Sequence, residues 1–292
     1  MERALRDKKA ILFFVLPGFT WFILIALLPV FQSVGYSTLK WNGITEGSFI
    51  WLQNYQELLG DELFWLSFRN SLLLAGASVF IQLPISMLLA MILVNGVRGE
   101  TIYRNVFFIP VIISSTVIAN LWMKVYHPSY GLLNTVLGSL GLDSMKHEWL
   151  GSTDSALAAC FVPMVWQYIG YHMLLYYSSA KAISDDILEA ARVDGANKRQ
   201  MVFRIIIPQI VPMIKASMIF AIIGSLKSFD MIQILTKGGP VHASEVPSLM
   251  MYINIFTTRR YGYASSIAIF IIVECLLFTL VVQKLFAVIQ KD

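Results

Sequence analysis

With 292 residues, 57% of them hydrophobic and only 14% charged, the chain departs from soluble proteins, which average about 45–50% apolar and about 25% charged residues. That balance excludes a soluble enzyme and predicts a membrane protein. The formal net charge of +4 reflects a bias between loops and is not read as a nucleic-acid surface.

A bilayer core requires about 20 apolar residues per helix, and six segments meet that need. In chain order they run over about 11–37, 71–94, 106–126, 155–178, 209–235 and 263–288. In lipid each must be helical, because a helix satisfies its own backbone polar groups. The expected fold is an all-α membrane protein, one transmembrane domain over residues 1–292 with six spans. The first segment has the basic start and apolar run of a signal peptide. Its run continues past Pro17 and Gly18, no small-residue cleavage site follows cleanly, and five more spans come after, so an uncleaved span is expected. Cys160 and Cys275 both fall inside predicted spans, which supports neither a disulfide framework nor a metal site.

Lysine and arginine in the loops set the orientation. The N-terminus (Arg3, Arg6, Lys8, Lys9), the second loop (Arg98, Arg104), the fourth loop (Lys181, Arg192, Lys198, Arg199, Arg204) and the C-terminus (Lys284, Lys291) carry thirteen basic residues, against seven on the other side. Both termini and the loop after span four are therefore expected on the cytoplasmic side. The external loops cover about 38–70, 124–154 and 236–262. The first carries Trp41, Trp51, Tyr55, Phe64 and Trp65. One reading is an interfacial aromatic belt with one or two short surface helices; the other is a docking surface for an external protein.

The cytoplasmic loop 180–208 has its own pattern. Ser184 is placed to cap a helix, with Asp185 and Asp186 in the first turn, where the helix dipole favours negative charge. Gly195 suits the turn that ends it. Residues 198–204 form a second short helix, and Pro208 opens span five. Read alone, this is a solvated connecting helix pair, or else a knob in which Ala190 and Ala191 beside Glu189 fit a partner's groove.

Polar groups in the spans are costly and face a pore or another helix. In span five, Ser217, Ala221, Gly224, Ser225 and Ser228 fall on one helical face. Small residues let helices approach closely, and a path for a polar solute also needs hydroxyls and room. In span four, Gln167, Tyr168 and Tyr171 offer an amide and aromatic faces, suited to lining a solute path or to an interhelical bond. His172 is read as structural. Lys227 and Asp230 are placed to pair, and Lys215 can snorkel to the interface. Glu274 in span six is read as a polar interhelical contact, with a proton or sodium site as the alternative. The chain has no G-x-x-x-x-G-K-[ST] run, so it is not itself an ATPase. Its four histidines are scattered and it lacks G-x-S-x-G and H-E-x-x-H, so an intramembrane hydrolase is disfavoured.

Glu189-Ala190-Ala191, three residues, Gly195, nine residues, then Ile205-Ile206-Ile207-Pro208 resembles the cytoplasmic E-A-A loop of ABC-importer permeases, with Ile207 where that pattern has Leu. Further pieces fit the sugar-type branch in order: Leu16-Pro17-Gly18, the stretch from Asn54 to Leu59, Arg104 with Phe107-Phe108-Ile109-Pro110, Trp166-Gln167, Gly170-Tyr171, Phe229-Asp230, Gly238-Gly239-Pro240 and Tyr261-Gly262-Tyr263-Ala264. The chain is thus similar, almost end to end, to the larger membrane subunit of maltose-type importers, without that subunit's extra spans or large external insertion.

The resemblance implies an ABC importer type I permease in a bacterial or archaeal cytoplasmic membrane, carrying a sugar, oligosaccharide, polyol or glycerol-phosphate ester. It implies coupling to a separate ATPase dimer through Glu189, Ala190, Ala191, Asp194, Gly195 and Pro208. It places Ser225 and Ser228 at sugar-contact positions, beside a substrate path that also takes in Gln167, Tyr168, Tyr171 and Gly224. The implied partners are a second, non-identical permease, the ATPase pair and an extracytoplasmic binding protein, with no nucleic acid. No cofactor or metal is expected on this chain; ATP and Mg belong to the ATPase. The alternative is an ion-coupled secondary transporter using Glu274 and Asp230.

Overall fold

The computed structural model describes residues 8–289; Arg3, Arg6 and Lys291, used above for orientation, lie outside the described residues. The chain divides into two compact units, one formed by the residues up to Asp61 with Met250–Ile272, the other by Glu62–Leu249 with the residues from Val273.

In the first unit, helix α1 (Lys8–Phe22) runs through a π-helical turn (Ile23–Leu27) into α2 (Leu28–Tyr36). Their apolar side chains lie exposed, as on Phe13, Phe19, Trp21 and Phe31, which suits a lipid-facing or partner-facing span. A short antiparallel hairpin follows, β1 (Leu39–Lys40) and β2 (Ser48–Phe49), with Leu39 opposite Phe49, and then α3 (Gln53–Gly60). The segment expected as the first external loop thus holds a hairpin and one helix, where one or two helices were expected. Asn54 fastens it: its amide donates to the carbonyls of Ser37 at 2.8 Å and Leu39 at 2.9 Å.

The second unit begins with α4 (Glu62–Ala77), a π-helical turn (Ser78–Gln82) and α5 (Leu83–Val94). This run starts nine residues before the predicted span, so Phe64 and Trp65 belong to it and not to an external loop. The polar residues that resembled a loop are satisfied in place. Asn70 donates to the carbonyls of Ala243 at 3.0 Å and Glu245 at 2.9 Å, and buried hydroxyls at Ser67 and Ser71 bond back to their own helix.

Span three is not one straight helix. It is α6 (Glu100–Ile112) and α7 (Ser115–Val125), bent by 97°. Ile113 is extended, and the Ser114 hydroxyl accepts from the Thr116 N–H at 3.3 Å. That side-chain cap starts a new helix where the backbone would otherwise have continued the old one.

The remaining elements are α8 (Leu132–Ser139), α9 (Ala156–Lys181), α10 (Asp185–Val193), α11 (Lys198–Gln200), a π-helical turn (Met201–Ile206), α12 (Ile207–Gln209), α13 (Val211–Leu226), α14 (Asp230–Leu235), α15 (Pro247–Phe256) and α16 (Tyr261–Ile289). Pro208 opens only the three-residue α12. The long helix of span five is opened by Pro212 and breaks again over 227–229. Among the described residues, four helical runs suffice by length and composition to cross a membrane, or five with the bent pair. Helix α9 is long enough at 26 residues, but its middle is the polar stretch around Gln167 and His172.

Gly170 lets α6 and α9 touch: a Cβ there would sit 2.5 Å from the carbonyl carbon of Phe107. The core beside it joins α5, α9 and the 180–208 loop through Ala90, Leu93, Met173, Tyr176, Ala191 and Ile206.

Candidate functional site

Two regions of the second unit carry the candidate residues. The first is the turn between α9 and α13, expected on the cytoplasmic side. Ser184 caps α10 as expected, its hydroxyl accepting from the Asp186 N–H at 3.3 Å. At the other end Gly195 has φ of +80°. The Ala196 N–H reaches the Ala191 carbonyl at 3.0 Å and the Gly195 N–H reaches Arg192 at 3.0 Å, the paired bonds of a Schellman turn. The next piece starts with a capping box between Asn197 and Gln200. Both turns are therefore rigid, and residues 198–206 are helical, though the second half is a π-helical turn.

The loop is half embedded and does not project freely. Leu188, Ala191, Met201, Val202 and Ile206 pack into the core with α5 and α9. The two alanines separate: Ala191 is buried and Ala190 exposed beside Glu189, Asp194 and Gly195. Ile187 and Val193 also face outward, Val193 with 87% exposure. A small surface, carrying the apolar Ile187, Ala190 and Val193 with the exposed carboxylates of Glu189 and Asp194 and the Arg192 guanidinium, is thus fixed to the helices behind it.

The second region is a cavity of about 470 Å³. Every span residue expected on a substrate path lines it: Gln167, Tyr168, Tyr171, Gly224, Ser225 and Ser228. Three backbone irregularities also meet there. Ser78 and Gln82 come from the π-helical turn, Ser115 from the α6–α7 bend, and Lys227, Ser228 and Phe229 from the break before α14. Irregular backbone at membrane depth is tolerated only where protein buries it or water reaches it, and π-turns gather at functional sites.

Local bonds divide the small-residue face of span five. Ser217 is fully buried and pairs with His172 Nδ1 at 2.6 Å, so that end packs against α9, and His172 also reaches the cavity wall. Ser225 Oγ pairs with Ser78 Oγ at 2.7 Å and also donates to the Ala221 carbonyl at 2.9 Å. Ser228 faces the Met164 sulfur at 3.8 Å. Gly224 opens onto the cavity, and an added Cβ would meet nothing within 4 Å. Gln167 donates its amide to the Ile113 carbonyl at 3.2 Å, satisfying a group that the bend set free, while its buried oxygen has no partner.

Some expectations change. No ion pair joins Lys227 to Asp230 among the described residues; they stand on either side of the break, both exposed and both on the cavity wall. Glu274, read as an interhelical contact, is 4% exposed, and among the described residues neither carboxyl oxygen has a hydrogen-bond partner. Sequence reasoning missed Ser78 and Gln82. The signal was there: two polar residues one turn apart, followed by Pro84, interrupt an otherwise apolar span. Among the described residues no cluster of His, Cys, Asp or Glu could hold a metal ion.

The comparisons with known proteins agree with one another. The family of binding-protein-dependent transport system inner membrane components matches residues 82–291. A probable ABC transporter permease protein, YurN of Bacillus subtilis (strain 168), is 37% identical over 276 residues, covering 94% of each chain. The trehalose/maltose transport system permease protein MalF of Thermococcus litoralis is 31% identical over 280 residues, covering 96% of this chain and 94% of that one. A chain in the crystal structure of a bacterial ABC transporter involved in the import of the acidic polysaccharide alginate superposes with a TM-score of 0.82 at 25% identity, covering 97% of this chain and 96% of its own.

Proposed function

The chain belongs to the binding-protein-dependent transport system inner membrane components and is a membrane subunit of an ABC sugar importer, and on that premise we propose how its parts divide the work. It is a permease and not an enzyme. The cavity is the sugar path, and the surface of α10 and its turn receives force from a separate ATPase pair, which holds the ATP and Mg. Closure of that pair moves Glu189, Ala190, Ala191, Asp194 and Gly195 as one body, and Pro208 with the helix behind it follows. The path then switches from inward-facing to outward-facing, and no bond of the sugar is broken. A second, non-identical permease completes the pore, and an external binding protein delivers the sugar. Six spans with cytoplasmic termini in a bacterial or archaeal cytoplasmic membrane fit this scheme.

The observation that carries the reading is the meeting of three helix irregularities at one cavity, within a unit whose core also grips the cytoplasmic turn. Rigid attachment is what transmission of a closure requires. Deleting the chain in its native cells should abolish uptake of one saccharide from a labelled panel. Gly224→Phe, which fills the cavity, and Glu189→Lys, which inverts the charge on the exposed turn, should each fail to restore it while inserting normally. Normal uptake with either variant would remove the corresponding half of the proposal.

A further inference from the structure

We propose that the cavity admits uncharged saccharides in preference to acidic or amino sugars, and that Lys227 and Asp230 together set this selectivity. The inference rests on the cavity being the sugar path. Among the described residues, Lys227 and Asp230 are the lysine and carboxylate on its wall, which also carries His172. They have opposite signs, stand three residues apart across one helix break, and are both exposed. Their opposite signs cancel, so this chain's share of the wall carries no net formal charge.

That absence of net charge decides between ligand classes. A carboxylate or phosphate taken out of water costs several kcal/mol unless a cation pairs with it. Proteins that accept such groups use bidentate arginine or charge-assisted bonds, and among the described residues no arginine lines this cavity. Asp230 itself repels an anion, as Lys227 repels an ammonium group. A neutral saccharide needs only hydroxyl partners and apolar faces. Ser228 and Ser78 offer the first; Tyr168, Tyr171 and Phe229 offer the second. The volume of about 470 Å³ lies within the range of about 300–1,000 Å³ that holds a single small ligand. The fold shared with an importer of an acidic polysaccharide leaves the charge preference to these side chains.

The test is saturation-transfer difference NMR on the membrane assembly purified through this chain in lipid nanodiscs, without binding protein. The probes are maltose, digalacturonic acid and the fully deacetylated glucosamine dimer, mixed in one sample. The maltose signal should exceed both charged probes on the order of tenfold. Asp230→Asn should raise the acidic-to-neutral ratio, and Lys227→Gln the amino-to-neutral ratio. Ratios within one sample cancel any loss of folded protein. Equal signals from digalacturonic acid and maltose in the unaltered chain, no maltose signal there, or ratios unmoved in both variants, would overturn the proposal. Gly224→Phe separates the two levels. If the maltose signal survives it, the sugar-path reading falls and this selectivity falls with it. If Gly224→Phe removes every signal while the charge ratios stay flat, the path stands and only the selectivity fails.

Discussion

Gly170→Ala and Gly224→Ala add the same methyl group to two helices lining one site, and the structure gives them opposite signs. At Gly170 the new carbon would lie 2.5 Å from the Phe107 carbonyl carbon and 3.1 Å from the Phe108 Cα. Carbon atoms rest about 3.5–4.0 Å apart, so α6 and α9 must part by about 1 Å. The obstacle is backbone, which cannot rotate aside, so the strain sits near the top of the usual overpacking range, about 3 kcal/mol. Alanine returns up to about 1 kcal/mol of helix propensity, leaving a net loss of about 2 kcal/mol. At Gly224 nothing lies within 4 Å of the added carbon, and only the propensity gain of about 0.5–1 kcal/mol remains. Thermal unfolding of the detergent-solubilised chain, followed by size-exclusion with fluorescence detection, reads the difference. Gly170→Ala should lower Tm by about 4–8 °C and Gly224→Ala should not lower it. A Gly170→Ala Tm equal to or above that of Gly224→Ala would refute the close-approach argument.

Three further expectations follow from single contacts. Ser217→Ala strands the buried His172 Nδ1, costing about 1–3 kcal/mol; the same thermal assay should show it, and an unchanged Tm would mean that the pair holds nothing together. Gly195→Val forces a branched side chain into a left-handed turn at about 1–2 kcal/mol, so protease should cut the 194–197 segment faster than in the unaltered chain. Glu274→Leu replaces a buried carboxyl that has no partner, so Tm should hold or rise. Uptake should survive both that change and the collapse of ion gradients; loss of uptake in either case would favour an ion-coupled transporter.

Much of this was legible in the residues. Apolar runs of span length located the helices, because lipid leaves the backbone no other partner. The cytoplasmic turn was readable down to its caps, since Ser184 and Gly195 act locally, within four residues of the groups they satisfy. Helix irregularities were not readable. The α6–α7 bend depends on a Ser114 cap winning against helix continuation, and an apolar pattern looks the same on either side of it. The start of α4 was hidden because Asn70 finds its partners at Ala243 and Glu245, far along the chain. Ser225 was readable as polar, but not as the partner of Ser78, because no sequence spacing pairs residues on separate helices.

The central claim is that this chain is one unlike half of a pore driven by separate ATPase subunits. The most direct measurement is to purify it from native membranes in mild detergent and identify by mass spectrometry what stays bound. The account predicts a second, similar permease together with a P-loop ATPase. Recovery of this chain alone, or only with copies of itself, would contradict it.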